Sequence, residues 1–132
     1  DIVFPQFEFE GQWNLLSQGQ AWLVQPDSIQ QIGCIHTCQG LELEYVGVIV
    51  GPDIRVENGV LVTNPAGRAK TDKSLNGYKK ALKDDPVVAN EKADKLIRNT
   101  YRTLMSRGMK GCFIWCVDAE TAEYFKSRLP RG

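Results

Sequence analysis

Two uninterrupted apolar runs limit what this chain can fold into: residues 45–50 (Y-V-G-V-I-V) and residues 111–117 (G-C-F-I-W-C-V). Neither alternates polar with apolar, so neither suits a strand with one wet face. Both suit strands buried on two sides, as in parallel sheets covered by helices. Between them, from Glu91 onward, Ala93, Leu96, Ile97, Tyr101, Leu104 and Met105 recur at i, i+3 and i+4, while Lys95, Arg98, Asn99, Arg102 and Ser106 fall on the opposite side. This spacing predicts an amphipathic helix. Strand, helix, strand with apolar strands predicts the α/β class: a small, mainly parallel sheet of three or four strands flanked by helices.

The flanks are read from local signals. Residues 29–37 suit a strand that ends at the turn Gln39-Gly40-Leu41-Glu42. Residues 54–63 suit a β-hairpin, because Asn58-Gly59 accepts positive φ at both positions. Residues 64–85 are polar, with one helix expected over 74–82, and the whole excursion reads as an insertion spanning about 54–88. Asp85-Pro86 suits a helix start, Asn90 is a second candidate cap, and Gly108 suits the position just past the helix end. Asp118 suits the cap of a last helix that turns Ala122, Phe125 and Leu129 inward. Residues 1–30 carry apolar mass in Phe4, Phe7, Phe9 and Trp13, broken by Pro5, Gly11 and Gly19; residues 21–24 read equally as a short strand or a helix end.

A length of 132 residues suits one domain. Formal net charge is zero, so any nucleic-acid binding must rest on a local patch. No apolar run approaches the roughly 18 residues of a membrane span. The chain opens at Asp1 without a methionine or a basic-then-apolar leader, and reads as a cut from a longer cytoplasmic protein. The cysteines form two C-x-x-x-C pairs, Cys34/Cys38 and Cys112/Cys116. Buried reduced thiols are the leading reading; a zinc site with His36 and a disulfide are the alternatives.

In a parallel sheet, ligands bind at the carboxyl ends of strands, where the segment from His36 to Glu42 is expected to lie. Gly40 admits close backbone approach to a phosphate, Glu42 suits a ribose hydroxyl, and Gln39 and Thr37 both donate and accept. At 100° per residue Arg107 falls beside Leu96, inside the apolar arc, and a buried cation needs a partner. That partner is either a carboxylate of the same domain or a phosphate at a domain interface. Between 68 and 83, six cations (Arg68, Lys70, Lys73, Lys79, Lys80, Lys83) face one acid, Asp72. The segment is either a solvated insertion or a phosphate-backbone surface. No G-x-x-x-x-G-K-[ST] and no G-x-G-x-x-G occurs, and one histidine leaves little for serine or cysteine catalysis.

The run H-T-C-Q-G-L-E-L-E-Y-V-G-V-I-V-G-P-D, the R-A-K-T-D-K-S-L insertion and R-N-T-Y-R-T-L-M-S-R-G-M-K-G resemble one family of bacterial helicase-like P-loop ATPases, related to the helicase-like C-terminal region of the schlafen proteins. The first and last of these also resemble motifs V and VI of superfamily 1 helicases. The resemblance implies a partial RecA-like (P-loop NTPase) domain, the second of two in the intact protein. ATP with Mg2+ would sit between it and a missing N-terminal RecA-like domain, with no ligand held tightly by this piece alone. Arg107 would be the γ-phosphate arginine, Glu42 and Gly40 nucleotide contacts, and Gln39 a substitute for the usual lysine. His36 and Thr37 would lie near a DNA or RNA strand, with Arg68, Lys70 and Lys73 as further candidate contacts. No metal ligands and no membrane are implied. Cys34 stands where the motif carries threonine, which removes one hydroxyl contact. A nucleotide-responsive regulatory module without translocation is the competing reading, and a flavodoxin-like small-ligand domain a weaker third.

Overall fold

The computed structural model describes residues 2–13, 21–69 and 72–130. The chain divides into two compact units, residues 1–42 and 43–132. In the first, β1 (Ile2–Phe4) pairs antiparallel with β2 (Phe9–Trp13), and β2 pairs in parallel with β3 (Gln31–Ile32). A 3-10 turn at Pro5–Phe7 and a left-handed Glu8 close the hairpin. Residues 21–24 form a 3-10 turn that buries Trp22.

The strand expected over 29–37 is corrected. Ser28–Gln30 is a 3-10 turn, β3 holds two residues, and Ile35–Cys38 is a one-turn helix, α1. The cause is local hydrogen bonding. The Cys34 N–H donates to the Thr37 hydroxyl at 3.0 Å, and that hydroxyl donates back to the Cys34 carbonyl at 3.1 Å. Such side-chain bonds compete with a strand ladder. Gly33 is required here: a Cβ would sit 2.6 Å from the Trp22 ring and 2.7 Å from the Cys38 sulfur.

The second unit is built on β4 (Leu43–Val50) and β7 (Gly108–Cys116), parallel and in register from Tyr45↔Gly111 to Val50↔Cys116. Both apolar runs are strands, but the expected burial on two sides is corrected: Val48, Val50 and Cys116 are buried on the helix-packed side, while Tyr45 and Phe113 are exposed. Between them come a hairpin of β5 (Ile54–Glu57) and β6 (Val60–Thr63), then α2 (Tyr78–Asp84) and α3 (Pro86–Met105); α4 (Ala119–Lys126) follows β7. The expected single sheet is therefore a set of separate small sheets with mixed pairing. The hairpin leaves the parallel pair because Val56 gives its N–H to the Thr121 hydroxyl of α4, at 2.8 Å, and not to a strand.

Asp85 caps α3, accepting from the N–H groups of Val87 and Val88, with Pro86 in the first turn. Asn90, the other candidate, lies inside the helix and accepts from the Tyr78 hydroxyl. Ala89, Ala93, Ile97 and Tyr101 form the buried stripe of α3, and Ile97 and Tyr101 pack with Val48, Val50, Ile54 and Cys116. Fully burying a side chain the size of Ile97 contributes about 1.5–3 kcal/mol. Helix α2 begins only at Tyr78, because Gly77 is left-handed at φ 85. Gly108 is not a helix cap. It opens β7 at an irregularity between Leu43 and Tyr45, where a Cβ would collide with the Gly111 carbonyl. Leu129 is exposed, although Ala122 and Phe125 do pack on the core. Away from that core, β4 and β7 expose Tyr45 and Phe113, whose rings lie 6.3 Å apart. No helix among the described residues is long and apolar enough to cross a membrane.

Candidate functional site

In the first unit the candidates lie on α1 and the turn after it, not at the end of a long strand. His36 is exposed. Thr37 is buried, its hydroxyl committed to Cys34 and its carbonyl accepting from the Trp22 indole at 3.3 Å. Gln39 ends α1 on the surface. Gly40 takes φ 82 with open space where a Cβ would point, so the left-handed backbone, and not crowding, demands glycine there. Glu42 is exposed.

In the second unit, Arg107 lies just beyond α3, which ends at Met105 with Ser106 as its cap. The helical wheel therefore stops short of it. Its side chain turns back on the helix: Nε donates to the Thr103 carbonyl at 3.1 Å, and Nη2 to the Ser106 hydroxyl at 3.3 Å. A guanidinium at a helix C-terminus is favoured by the carbonyls left unpaired there. The Arg107 carbonyl accepts from the Leu43 N–H at 2.9 Å. The residue that follows Glu42 in the chain is thereby bonded to the residue that precedes β7.

The remaining candidates lie elsewhere. β4 rises roughly 3.3 Å per residue, which separates the Arg107 end from the end at Val50 by more than 20 Å along the strand. Beyond that far end lies Arg68, whose side chain is 7% exposed. It donates to Asp53 at 3.2 Å through Nη1 and to Asp72 through Nε at 3.0 Å and Nη2 at 2.6 Å. Lys73, Lys79, Lys80 and Lys83 are exposed. Lys70 lies outside the described residues.

No sequence motif marks Asp53. It accepts the Tyr101 hydroxyl proton on one carboxylate oxygen and Arg68 on the other, and its carbonyl accepts from the Asn64 N–H at 2.7 Å. The Tyr101 hydroxyl also accepts from the Gly51 N–H at 3.0 Å. Burial, followed by the hydrogen bond to Asp53 and its negative charge, pushes the Tyr101 phenol well above its ordinary value. For Asp72, burial works upward, but hydrogen bonds from Ser74 and Arg68 outweigh it and hold the carboxyl below the usual range. Tyr101 shows in the sequence only as one more member of the apolar stripe.

All four cysteines are free thiols, and burial raises the pKa of Cys38, Cys112 and Cys116. Among the described residues no group of three or more His, Cys, Asp or Glu side chains is placed to hold a metal ion.

The family model for the schlafen group 3 DNA/RNA helicase domain matches residues 1–118. An uncharacterized protein of Saccharomyces cerevisiae is 29% identical over 104 residues, covering 77% of this chain and 22% of the relative. The chain thus spans about a fifth of that relative's length. No solved structure matches the chain.

Proposed function

The chain belongs to the schlafen group 3 DNA/RNA helicase domain family, and from that premise we propose that it is the C-terminal RecA-like half of a cytoplasmic, ATP-dependent, helicase-like ATPase. ATP with Mg2+ binds between this half and an N-terminal RecA-like domain, which supplies the phosphate loop and metal ligands. Arg107 meets the γ-phosphate and offsets charge developing in phosphoryl transfer. Gln39, Gly40 and Glu42 contact the nucleotide. His36, Lys70 and Lys73 contact DNA or RNA. Thr37 and Arg68 leave the contact set in this reading, since the hydroxyl and the guanidinium are spent within the fold. The observation that carries the reading is the family match over residues 1–118, which takes in both Q-G-L-E and Arg107. In this reading the 132-residue chain alone does not turn over ATP.

The test is ATP hydrolysis by the full-length protein, with and without single-stranded DNA or RNA. Arg107→Ala should lower kcat by about a thousandfold or more, the size of an arginine-finger effect. Turnover indifferent to both polymer and Arg107 would return Arg107 to a purely structural role at the end of α3 and sink the proposal.

A further inference from the structure

Four side chains from three separated stretches meet beyond the end of β4. Asp53 follows the strand, Arg68 and Asp72 belong to the polar insertion, and Tyr101 belongs to α3. They are mostly buried: the Asp53 side chain is 10% exposed and that of Asp72 20%. Backbone packing reinforces the meeting. Gly67 lies so close to Pro52 and Asp53 that a Cβ there would sit 2.5 Å from the Pro52 carbonyl oxygen. Asp72 in turn accepts the Ser74 N–H at 2.7 Å, which fixes the stretch after it.

The chemistry makes the cluster act as one piece. Arg68 is a planar fork whose separate nitrogens engage two carboxylates at once, which a lysine cannot reproduce. Two acids share one cation, and the Tyr101 hydroxyl supplies Asp53 with a further donor. Removing any one member leaves a buried charge or donor short of one of its partners, which costs more than the lost bond alone. A shift of the insertion must therefore move Asp53 and Tyr101 or break the cluster. Tyr101 lies six residues before Arg107. The stretch from Tyr101 to Arg107 joins the two ends of β4: the Tyr101 hydroxyl holds Gly51 beyond one end, and the Arg107 carbonyl holds Leu43 at the other.

We propose that the Asp53–Arg68–Asp72–Tyr101 cluster is a joint through which the polar insertion sets the position of α3, so that Arg68 and Tyr101 are positioning residues for Arg107. The joint stands on the geometry alone; its bearing on Arg107 chemistry rests on the proposed ATPase. A basic surface on the insertion and the arginine at the other end of β4 are then mechanically linked, and occupation of one is felt at the other.

Amide hydrogen exchange on the full-length protein tests the joint from both ends. Tyr101→Phe keeps the ring and deletes the hydroxyl on α3; Asp72→Asn keeps the shape and removes the charge on the insertion. A joint predicts crossed effects. Tyr101→Phe speeds exchange in 64–69 and 72–77, and Asp72→Asn speeds exchange in 101–107, each by about tenfold or more, as loss of a buried charge-assisted hydrogen bond implies. Effects confined to the mutated segment overturn the proposal. Protection in 112–115, the middle of β7, is the control. If Tyr101→Phe also loosens that strand, it reports global stability, and the milder Asp72→Asn decides. Kinetics then tests the link to Arg107. Tyr101→Phe should lower kcat with the ATP KM unchanged, and add little to Arg107→Ala, because residues acting through one another are not additive. Full additivity overturns the positioning role. If Arg107→Ala has no effect on turnover, the proposed function falls, and the exchange result still decides the joint.

Discussion

Replacing Thr121 with valine isolates one buried hydroxyl that holds the β5–β6 hairpin to α4. Thr121 is 0% exposed. Its Oγ1 accepts the Val56 N–H at 2.8 Å and donates to the Asp118 carboxylate, which also accepts the Thr121 N–H at 2.8 Å. Valine keeps the branched shape, so no cavity forms and helix α4 is little disturbed. What changes is that the Val56 N–H is left buried without an acceptor, while Asp118 retains the backbone donor. An unsatisfied buried donor costs about 1–3 kcal/mol, and loss of a bond to a carboxylate adds to it. The expected destabilisation is about 2–3 kcal/mol, read as a drop in the urea midpoint of roughly 1–2 M at an unchanged slope. Thr121→Ser is the control. It keeps the hydroxyl and loses one methyl, at a cost of about 1 kcal/mol. Valine must therefore be worse than serine. If valine lies within about 0.5 kcal/mol of wild type, or serine is the more damaging, then packing and not hydrogen bonding selects threonine, and the account of why the hairpin leaves the parallel pair is wrong.

Asp85→Ala should cost about 1 kcal/mol by uncapping α3; an unfolding midpoint equal to wild type would show that Pro86 alone starts the helix. Tyr101 has a folded pKa raised above the unfolded value of about 10, so its contribution to stability is complete below that pH and is lost as pH rises through the folded value. In an alkaline titration one of the four tyrosines should withhold its phenolate absorbance until the protein unfolds, and Tyr101→Phe should remove that late step; complete ionisation in the folded state would contradict it. Lys73→Gln should reduce the slope of log affinity against log salt for single-stranded nucleic acid by about 0.7, one phosphate's share. An unchanged slope would take Lys73 out of the contact surface.

What was legible in the sequence was what short-range chemistry decides. The runs 45–50 and 111–116 are strands, as their β-branched and aromatic content favours, but the burial on both faces that such runs suggest is not met, since Tyr45 and Phe113 are exposed. Asn58 and Gly59 make the hairpin because both hold positive φ, 52 and 75. Asp85 and the stripe of α3 follow from capping and from a 3.6-residue period. The stretch 29–37 misled because Ile32, Ile35 and Thr37 mimic strand composition, while the deciding bond, Cys34 N–H to the Thr37 hydroxyl, has no compositional signature. Gly108 looked like a helix cap because glycine also serves where two stretches of backbone nearly touch, and only the three-dimensional path tells the two apart.

The arginines show how a sound physical premise can point to one residue and pass over another. A buried cation does need a partner, and extrapolating the α3 wheel to 107 places Arg107 among apolar side chains. The helix stops two residues earlier, so the wheel has no authority at 107, and the guanidinium folds back onto the helix end. The cation that meets the premise in full is Arg68, in a stretch that composition marks as solvated. Its partners explain the omission. Asp53 is fifteen residues away, and the chain path that sets Gly67 against Pro52 brings it close; Asp72 is four residues on. No periodicity encodes the approach of Asp53. A stretch rich in lysine and arginine therefore cannot be read as a single electrostatic surface: Arg68 is committed inward, and removing it from the count leaves the lysines as the cations available to a phosphate backbone. That division is why the salt slope is the measurement to make on Lys73, and why the crossed exchange effect is the one to make on the cluster around Arg68.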